Sequence, residues 1–440
     1  MKRPVVAIVG RPNVGKSTFF NKVVGKRISI VKNEPGVTRD RIYAEAEWLN
    51  HKFLLVDTGG IDIHEKDEVA KNILYQAKIA MELADVIILV VDGQDGLTDN
   101  DSEVAGLLRK INKPIVLAVN KCDNQLIDTV YDFYALGLGE PFAISSEHSK
   151  GVGDLLDKVV SYFDQIEDDE EENDKIKIAI VGRPNAGKSS ITNKLLGEDR
   201  VVVSSVAGTT RDAIDTPFKY DGKECVLIDT AGMRRKRGIE FESVESYSVL
   251  RSIEAIRRAD VVVIVFDVSQ GFSEQDVRIA GYVHEQGKPS VVVLNKWDLI
   301  EKDEYTINRY NEKLKEQLKF MDYYIPVYTS ALSGQRLNKI LPACFEAYEN
   351  ATRKTSTSIL NEILQDAVSI AQPPSKYGKR LKFYFISQNA SNPPTYVIQA
   401  NDSKLVHFSY QRYLENCLRR NLKLTGTPIK IIFRNKNEKE

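Results

Sequence analysis

The chain writes one eight-residue stretch twice: Gly10, Arg11, Pro12, Asn13, Val14, Gly15, Lys16 and Ser17, then Gly182, Arg183, Pro184, Asn185, Ala186, Gly187, Lys188 and Ser189. Each copy fits G-x-x-x-x-G-K-[ST] and follows an apolar, β-branched run. Each therefore predicts a strand, a tight loop and a helix in that order. The glycines let the backbone close in, so that successive N–H groups can point at phosphate oxygens. Lys16 and Lys188 can offset charge on the outer phosphates, and the hydroxyls of Ser17 and Ser189 can ligate magnesium. A glycine-rich turn without function is the rival reading, and a second copy in the same setting counts against it.

The repeat extends far beyond the loop. Strands are expected at Val5–Val9, Phe53–Val56, Val86–Val91 and Ile115–Val119, with helical pattern around Asn21–Val24, Val69–Leu83 and Asp101–Lys110. Near-continuous apolar strands alternating with helices indicate a mostly parallel sheet with helices on both faces. Ligands in such sheets bind at the carboxyl ends of the strands. The order returns with strands Ile178–Val181, Val226–Ile228, Val261–Phe266 and Val291–Leu294. Gly10, Thr38 and Asp57 recur 172 residues on as Gly182, Thr210 and Asp229; Asp92, Asn120 and Asp123 recur 175 residues on as Asp267, Asn295 and Asp298. This is a whole domain duplicated in tandem, too long a period for a solenoid.

After residue 351 the pattern changes. A helix is expected over 358–371, strands over Arg380–Ser387 and Thr395–Ala400 around an Asn389–Pro394 turn, a helix over Ser409–Leu422 and a last strand over Ile429–Phe433. That order describes a small α+β domain with helices on one face of a sheet. Charge marks the same divisions. The net charge of −1 hides +9 in residues 352–440, from 15 Lys/Arg against six Asp/Glu, and −10 in the remainder. Eight acids fall in the run Asp164–Asp174, which repels itself and reads as a solvated linker. The expected domains are therefore 1–163, an acidic linker at 164–175, 176–351 and 352–440.

With 42% apolar and 28% charged residues, the chain has ordinary globular composition. Met1-Lys-Arg-Pro runs straight into the first strand, which does not resemble a secretory signal, and no apolar run has membrane-spanning length. Cys122, Cys225, Cys344 and Cys417 form no CxxC pair, as expected for thiols in a reducing compartment. A cytoplasmic protein without a membrane partner is expected.

The phosphate loop does not name its nucleotide. The discriminating residues are Asn120, Lys121, Cys122 and Asp123, repeated as Asn295, Lys296, Trp297 and Asp298. An aspartate in the base pocket can accept from guanine N1–H and the 2-amino group. Adenine offers neither donor and would leave the carboxylate unpaired, a basis for strong discrimination. The lysine stem can lie along the base, and the asparagine can tie this loop to the phosphate loop. Ser145 and Ser146, and Ser330 and Ala331, follow later strands and can supply backbone N–H groups to the base oxygen. Asp57, Thr58, Gly59 and Gly60, with Ile61 after them, are matched by Asp229, Thr230, Ala231, Gly232 and Met233. Here the aspartate reaches magnesium, through water, and the last glycine N–H can sense the γ-phosphate. Thr38 and Thr210 can close the magnesium site through their hydroxyls, in loops released when that phosphate leaves. Lys16, Thr38, Lys188 and Thr210 are the candidate catalytic residues so far.

These motifs resemble those of the translation-factor-related GTPases and, over essentially the full length, the tandem EngA (Der) family. The resemblance implies two P-loop GTPase domains and a KH-like C-terminal domain. It also implies a magnesium-dependent GTPase, cycling between GTP and GDP, that acts late in assembly of the bacterial large ribosomal subunit. The large ribosomal subunit and its rRNA are then the partners, DNA is not, and the protein works as a monomer. Ile61 and Met233 stand where Ras-type enzymes carry a water-orienting glutamine, and neither side chain can hydrogen-bond water. In relatives without that glutamine, a phosphate-loop asparagine is associated with a potassium ion in place of an arginine finger. Asn13 and Asn185 occupy that position, so potassium-stimulated hydrolysis is expected. Arg234-Arg-Lys-Arg237, after the second DxxG, is either a solvated loop or a nucleotide-gated contact with RNA or the neighbouring domain. The C-terminal domain has only Gly378 and Gly426, so it lacks the GXXG loop with which KH domains clamp single-stranded RNA. Two alternatives remain: a phosphotransferase, against which the paired NKxD motifs argue, and a nucleotide-regulated RNA-binding scaffold with little turnover.

Overall fold

Strands buried on both faces explain why the apolar runs carry no polar alternation. A computed structural model describes residues 4–25, 43–60, 84–123, 127–165, 175–197, 200–203, 215–228, 245–373, 375–376 and 379–435. These form two compact units, one of residues up to 165 together with 245–254, the other of 175–228 and 255–435. The helical pattern expected over Val69–Leu83 and the linker run 166–174 lie outside the described residues.

In the first unit the strands are β1 (Val5–Val9), β2 (Tyr43–Trp48), β3 (His51–Asp57), β4 (Val86–Asp92), β5 (Ile115–Asn120) and β6 (Pro141–Ala143), ordered β2-β3-β1-β4-β5-β6. All neighbours pair in parallel except β2 and β3. Every residue of β1 and β4 is buried. Helices Lys16–Gly25 and Val152–Val160 press Phe19, Phe20, Val23, Leu155, Leu156 and Val159 into the core with Ile8, Leu55 and Ile88. Helix Asp99–Leu108 buries Val104, Ala105 and Leu108. The register sets Ile8 beside Asp57 and Asp92 beside Asn120, which brings the strand ends to one edge. The β2–β3 hairpin is an addition to the expected strands. It turns through Leu49 and Asn50, both at positive φ, the two-residue geometry that matches strand twist. Only Ala46 of β2 is buried, so this edge strand has no apolar signature.

The second unit repeats the plan with β7 (Ile176–Val181), β8 (Val201–Val203), β9 (Thr216–Tyr220), β10 (Lys223–Ile228), β11 (Val261–Asp267), β12 (Ser290–Asn295) and β13 (Ile325–Tyr328), ordered β13-β12-β11-β7-β10-β9-β8. Here too the strand that mirrors β2 pairs antiparallel, and its hairpin turns at Asp221-Gly222.

The same unit carries the C-terminal α+β layer. After the short pair β14 (Ser375–Lys376) and β15 (Lys379–Arg380) come β16 (Phe383–Ala390), β17 (Thr395–Ala400) and β18 (Lys430–Asn435). β17 pairs antiparallel with β16 and parallel with β18. Helices Thr357–Ile370 and Phe408–Asn421 share one core with Ile386, Tyr396 and Ile398, as expected for helices on one face. The strand expected to start at Arg380 starts at Phe383 instead. Asn401 bonds the backbone of Lys382 in both directions, and Leu381 is buried, which ends one ladder before the next begins. The layer joins the second sheet through Gly426, which accepts from Ser290 N at 2.7 Å and donates to Tyr323 O at 2.5 Å. Asn350 donates to Thr425 O, and the Arg419 guanidinium lies 5.3 Å from the Tyr323 ring centroid. Among the described residues no helix is long and apolar enough to cross a membrane.

Candidate nucleotide site

Gly10 leaves β1 where a side chain cannot exist: a Cβ there would lie 2.2 Å from Val90 O of β4. The loop that follows turns over the start of helix Lys16–Gly25. Lys16 is buried, and its Nζ donates to Gly10 O at 2.7 Å and Arg11 O at 2.8 Å, so the loop's own carbonyls hold the ammonium at its centre. Burial lowers that ammonium to about 8, with Asp57 pulling up and Arg11 pushing down. Gly59 lets the lysine pass, since a Cβ would meet Lys16 Cε at 2.4 Å. Ser17 Oγ donates to Asp57 Oδ2 at 2.7 Å. Two hard oxygens side by side are the donor type that magnesium takes, so the residues fit that ion.

Asn120 ties the ends of the site together. Its Nδ2 donates to Val14 O at 2.8 Å, and its Oδ1 accepts from Ser146 N and Ser146 Oγ, both at 2.9 Å. Gly15, at φ +92°, lies so close that a Cβ would sit 2.3 Å from Asn120 Nδ2. Cys122 N bonds Ile144 O at 3.0 Å, and Ser145 Oγ bonds Asp123 Oδ1, so the NKxD segment and the 145–146 loop form one ledge. The second site repeats this: Asn295 Nδ2 to Ala186 O at 2.8 Å, Ala331 N to Asn295 Oδ1 at 2.9 Å and Trp297 N to Thr329 O at 2.9 Å. Lys188 Nζ reaches Gly182 O and Arg183 O, both at 2.8 Å. Each site thus links a phosphate-sized loop to a base-sized ledge through one buried asparagine.

The comparisons with known proteins agree. A sequence profile described as 50S ribosome-binding GTPase matches residues 5–121 and 177–296, and one described as KH-domain-like of EngA bacterial GTPase enzymes, C-terminal, matches 354–434. A protein of Geobacillus sp. (strain WCH70) named GTPase Der is 54% identical over 435 residues, covering 99% of both chains. The chain belongs to the Der (EngA) family of GTPases. The GTPase Der of Staphylococcus carnosus (strain TM300) is 52% identical over 438 residues, 99% of this chain and all of its own. Among solved structures, the FeoB G domain of Methanococcus jannaschii matches at 25% identity and TM-score 0.27, over 37% of this chain and 97% of its own. The expected fold class, two P-loop GTPase domains and a KH-like C-terminal domain, is that of the family.

Several residues proposed from sequence lie outside the described ones: Thr38, Ile61, Thr210, Asp229, Thr230, Ala231, Gly232, Met233 and the Arg234–Arg237 run. Asn13 and Asn185 are exposed at the loop tips with φ +67° and +62°. The backbone N–H groups expected to meet the base oxygen are committed within the chain itself. Ser145 N bonds Lys150 O and Ser330 N bonds Gln335 O, while Ser146 N and Ala331 N bond the asparagines.

The geometry also gives the NKxD lysines a further partner and brings in residues whose roles the sequence left unassigned. Lys121 and Lys296 of the NKxD motifs reach Asp92 Oδ2 at 2.5 Å and Asp267 Oδ2 at 2.6 Å, at the ends of β4 and β11. Burial pushes the Asp92 carboxyl up, but the Lys121 bond and the N–H groups of Gln94 and Asp95 outweigh it and hold it below the usual range. Arg11 pairs with Asp95 at 2.7 Å, and its Nε lies 3.7 Å from Asp101, the buried third residue of the capping box begun by Thr98. Arg183 stands 3.6 Å from Asp276 in the matching box begun by Ser273. The signal was present: Asp92, Thr98 and Asp101 recur at the same 175-residue offset as Asp267, Ser273 and Asp276.

Proposed function

We propose that this GTPase is a two-site switch that acts late in assembly of the bacterial large ribosomal subunit, in the cytoplasm and as a monomer. The observation that carries the reading is the asparagine-centred link between phosphate loop and base ledge, built twice in a chain that also carries a basic C-terminal segment. Asp123 and Asp298, on the ledges, read guanine N1–H and the 2-amino group. Lys16 and Lys188 stabilise the γ-phosphoryl as charge spreads over its oxygens. Ser17, Thr38 and Asp57, with Ser189, Thr210 and Asp229, would hold magnesium, which would supply positive charge to offset that of the phosphate oxygens. Gly60 and Gly232 sense the γ-phosphate, and its loss releases the threonine loops. Asn13 and Asn185, exposed at the loop tips, offer side-chain oxygens to a potassium ion that serves where Ile61 and Met233 cannot orient water.

The family profile described as ribosome-binding supports the partner, and the +9 charge of residues 352–440 suits an rRNA surface. The domains proposed are 1–163, 176–351 and 352–440, with the acidic linker 164–175 between the first two. Phosphate release and cosedimentation with ribosomal particles, measured for Lys16→Ala and Lys188→Ala separately, test the proposal. Each change is expected to abolish turnover at its own site and to alter particle association. Particle association indifferent to both substitutions and to nucleotide refutes the switch. Equal turnover in potassium and sodium chloride refutes the potassium role.

A further inference from the structure

In both sites one loop residue is left with an uncommitted backbone donor, and the same residue is gripped by a lysine. In the first site the N–H groups of Ser145, Ser146 and His148 bond Lys150 O, Asn120 Oδ1 and Ser145 Oγ. In the second, Ser330, Ala331 and Ser333 do the same with Gln335 O, Asn295 Oδ1 and Ser330 Oγ. Among the described residues nothing accepts from the N–H of Glu147 or Leu332, which stand between these held peptide units. The carbonyl of Glu147 accepts from Lys22 Nζ at 2.8 Å, and that of Leu332 from Lys194 Nζ at 2.7 Å. The two lysines occupy the same place in helices Lys16–Gly25 and Lys188–Leu196, each six residues after the phosphate-loop lysine. The loop tips are open: Leu332 is 84% exposed, Glu147 and His148 are exposed as well, and the His148 ring lies 3.9 Å from Asp123.

We propose that Lys22 and Lys194 are positioning residues that present the N–H of Glu147 and Leu332 to the 6-oxo group of the guanine base. Each lysine holds the carbonyl of one peptide unit while the serine hydroxyl holds the N–H of that same unit, so the unit cannot rotate. The preceding N–H is then fixed on the ledge that carries Asp123 or Asp298. Because the acceptor is a carbonyl, Glu147 and Leu332 can differ in side chain and still serve alike. The inference rests on the guanine reading of these sites and adds which donor meets the 6-position and what aims it. The plainer role for a lysine in the last turn of a helix is to offset the carbonyl end of the helix dipole.

The test uses the full chain with Lys22→Met and Lys194→Met together, so that both sites change alike. Binding of GTP, of 6-thioguanosine triphosphate and of inosine triphosphate is measured for parent and variant. The first analogue alters only the 6-position acceptor, and the second lacks only the 2-amino group read by the aspartates. GTP binding is expected to weaken by about fivefold, the size of one exposed tether per site. The preference for GTP over the thio analogue should fall at least about twofold while the preference over inosine triphosphate holds, and Lys→Arg at both positions should restore the first. Unchanged preferences with a lower melting temperature would leave only the helix-dipole role and overturn the inference. Both preferences falling in proportion would overturn it too, as a general loosening. A parent chain that does not prefer GTP over inosine triphosphate would instead remove the guanine reading itself.

Discussion

Asn120→Ala separates the two ends of the first site without touching a charge. The side chain is 2% exposed and serves two buried backbone groups, Val14 C=O and Ser146 N–H, as well as the Ser146 hydroxyl. The hydroxyl can rotate to another acceptor, but the backbone groups cannot. Leaving them unsatisfied at about 1–3 kcal/mol each costs about 2–6 kcal/mol of local stability. At about 1.4 kcal/mol per tenfold change, even the lower end speeds local opening by about thirtyfold. Amide hydrogen exchange of the nucleotide-free chain reads this directly, because the Ser146 amide exchanges only when the ledge leaves the phosphate loop. The expected result is exchange at Ser146 at least about thirtyfold faster, with a smaller change at Ser145, whose N–H bonds Lys150 O. Exchange at Ser146 within about threefold of the parent would show that the loops are held without the asparagine, and the reasoning would fail.

Lys121→Met removes the strongest partner of the Asp92 carboxylate. Because Asp92 is held below its usual value in the folded chain, its contribution is present above pH of about 4 and is lost as pH falls through the lowered value. Without Lys121 the folded value rises, so acid unfolding of the first unit should begin at higher pH; an unmoved Asp92 carboxyl resonance during acid titration would contradict this. Gly426→Ala places a methyl 2.6 Å from Ala347 Cβ and 2.9 Å from Ile325 Cδ1, at a backbone φ of +79°. Backbone strain of about 1–2 kcal/mol and overpacking of about 1–3 kcal/mol should loosen the C-terminal layer, read as faster tryptic cleavage at Arg353 and Lys354. Cleavage at the parent rate would mean that the contact yields without cost.

What the sequence made legible follows from how each feature is specified. β1, β4 and β5 announce themselves because both faces are buried, and the phosphate and NKxD motifs because only those residue types do that chemistry. β2 stayed hidden because a half-exposed edge strand of alternating Ala and Glu needs no apolar run, only the positive-φ turn at Leu49–Asn50. The grip of Lys22 on Glu147 stayed hidden for another reason. A lysine-to-carbonyl bond across 125 residues leaves no mark on the acceptor's identity. The commitment of the Ser146 N–H to Asn120 is of the same kind, since a backbone donor has no letter of its own.

The two base loops differ most in their third position. Trp297 stands between Lys296 and Asp298, 2% exposed, with ring centroids of Tyr310 and Tyr328 at 5.0 and 4.6 Å. The first loop has Cys122 there, and the other of the chain's two tryptophans, Trp48, lies on β2 with its indole N–H on Asp157. The Cys122/Trp297 difference between the two copies gives the chain an optical asymmetry. The second loop contains a shielded fluorophore with two tyrosines close enough to pass it excitation energy, and the first loop is dark. With Trp48 replaced by Phe, a change in indole emission when guanine nucleotide arrives reports filling of the second pocket, with no label attached.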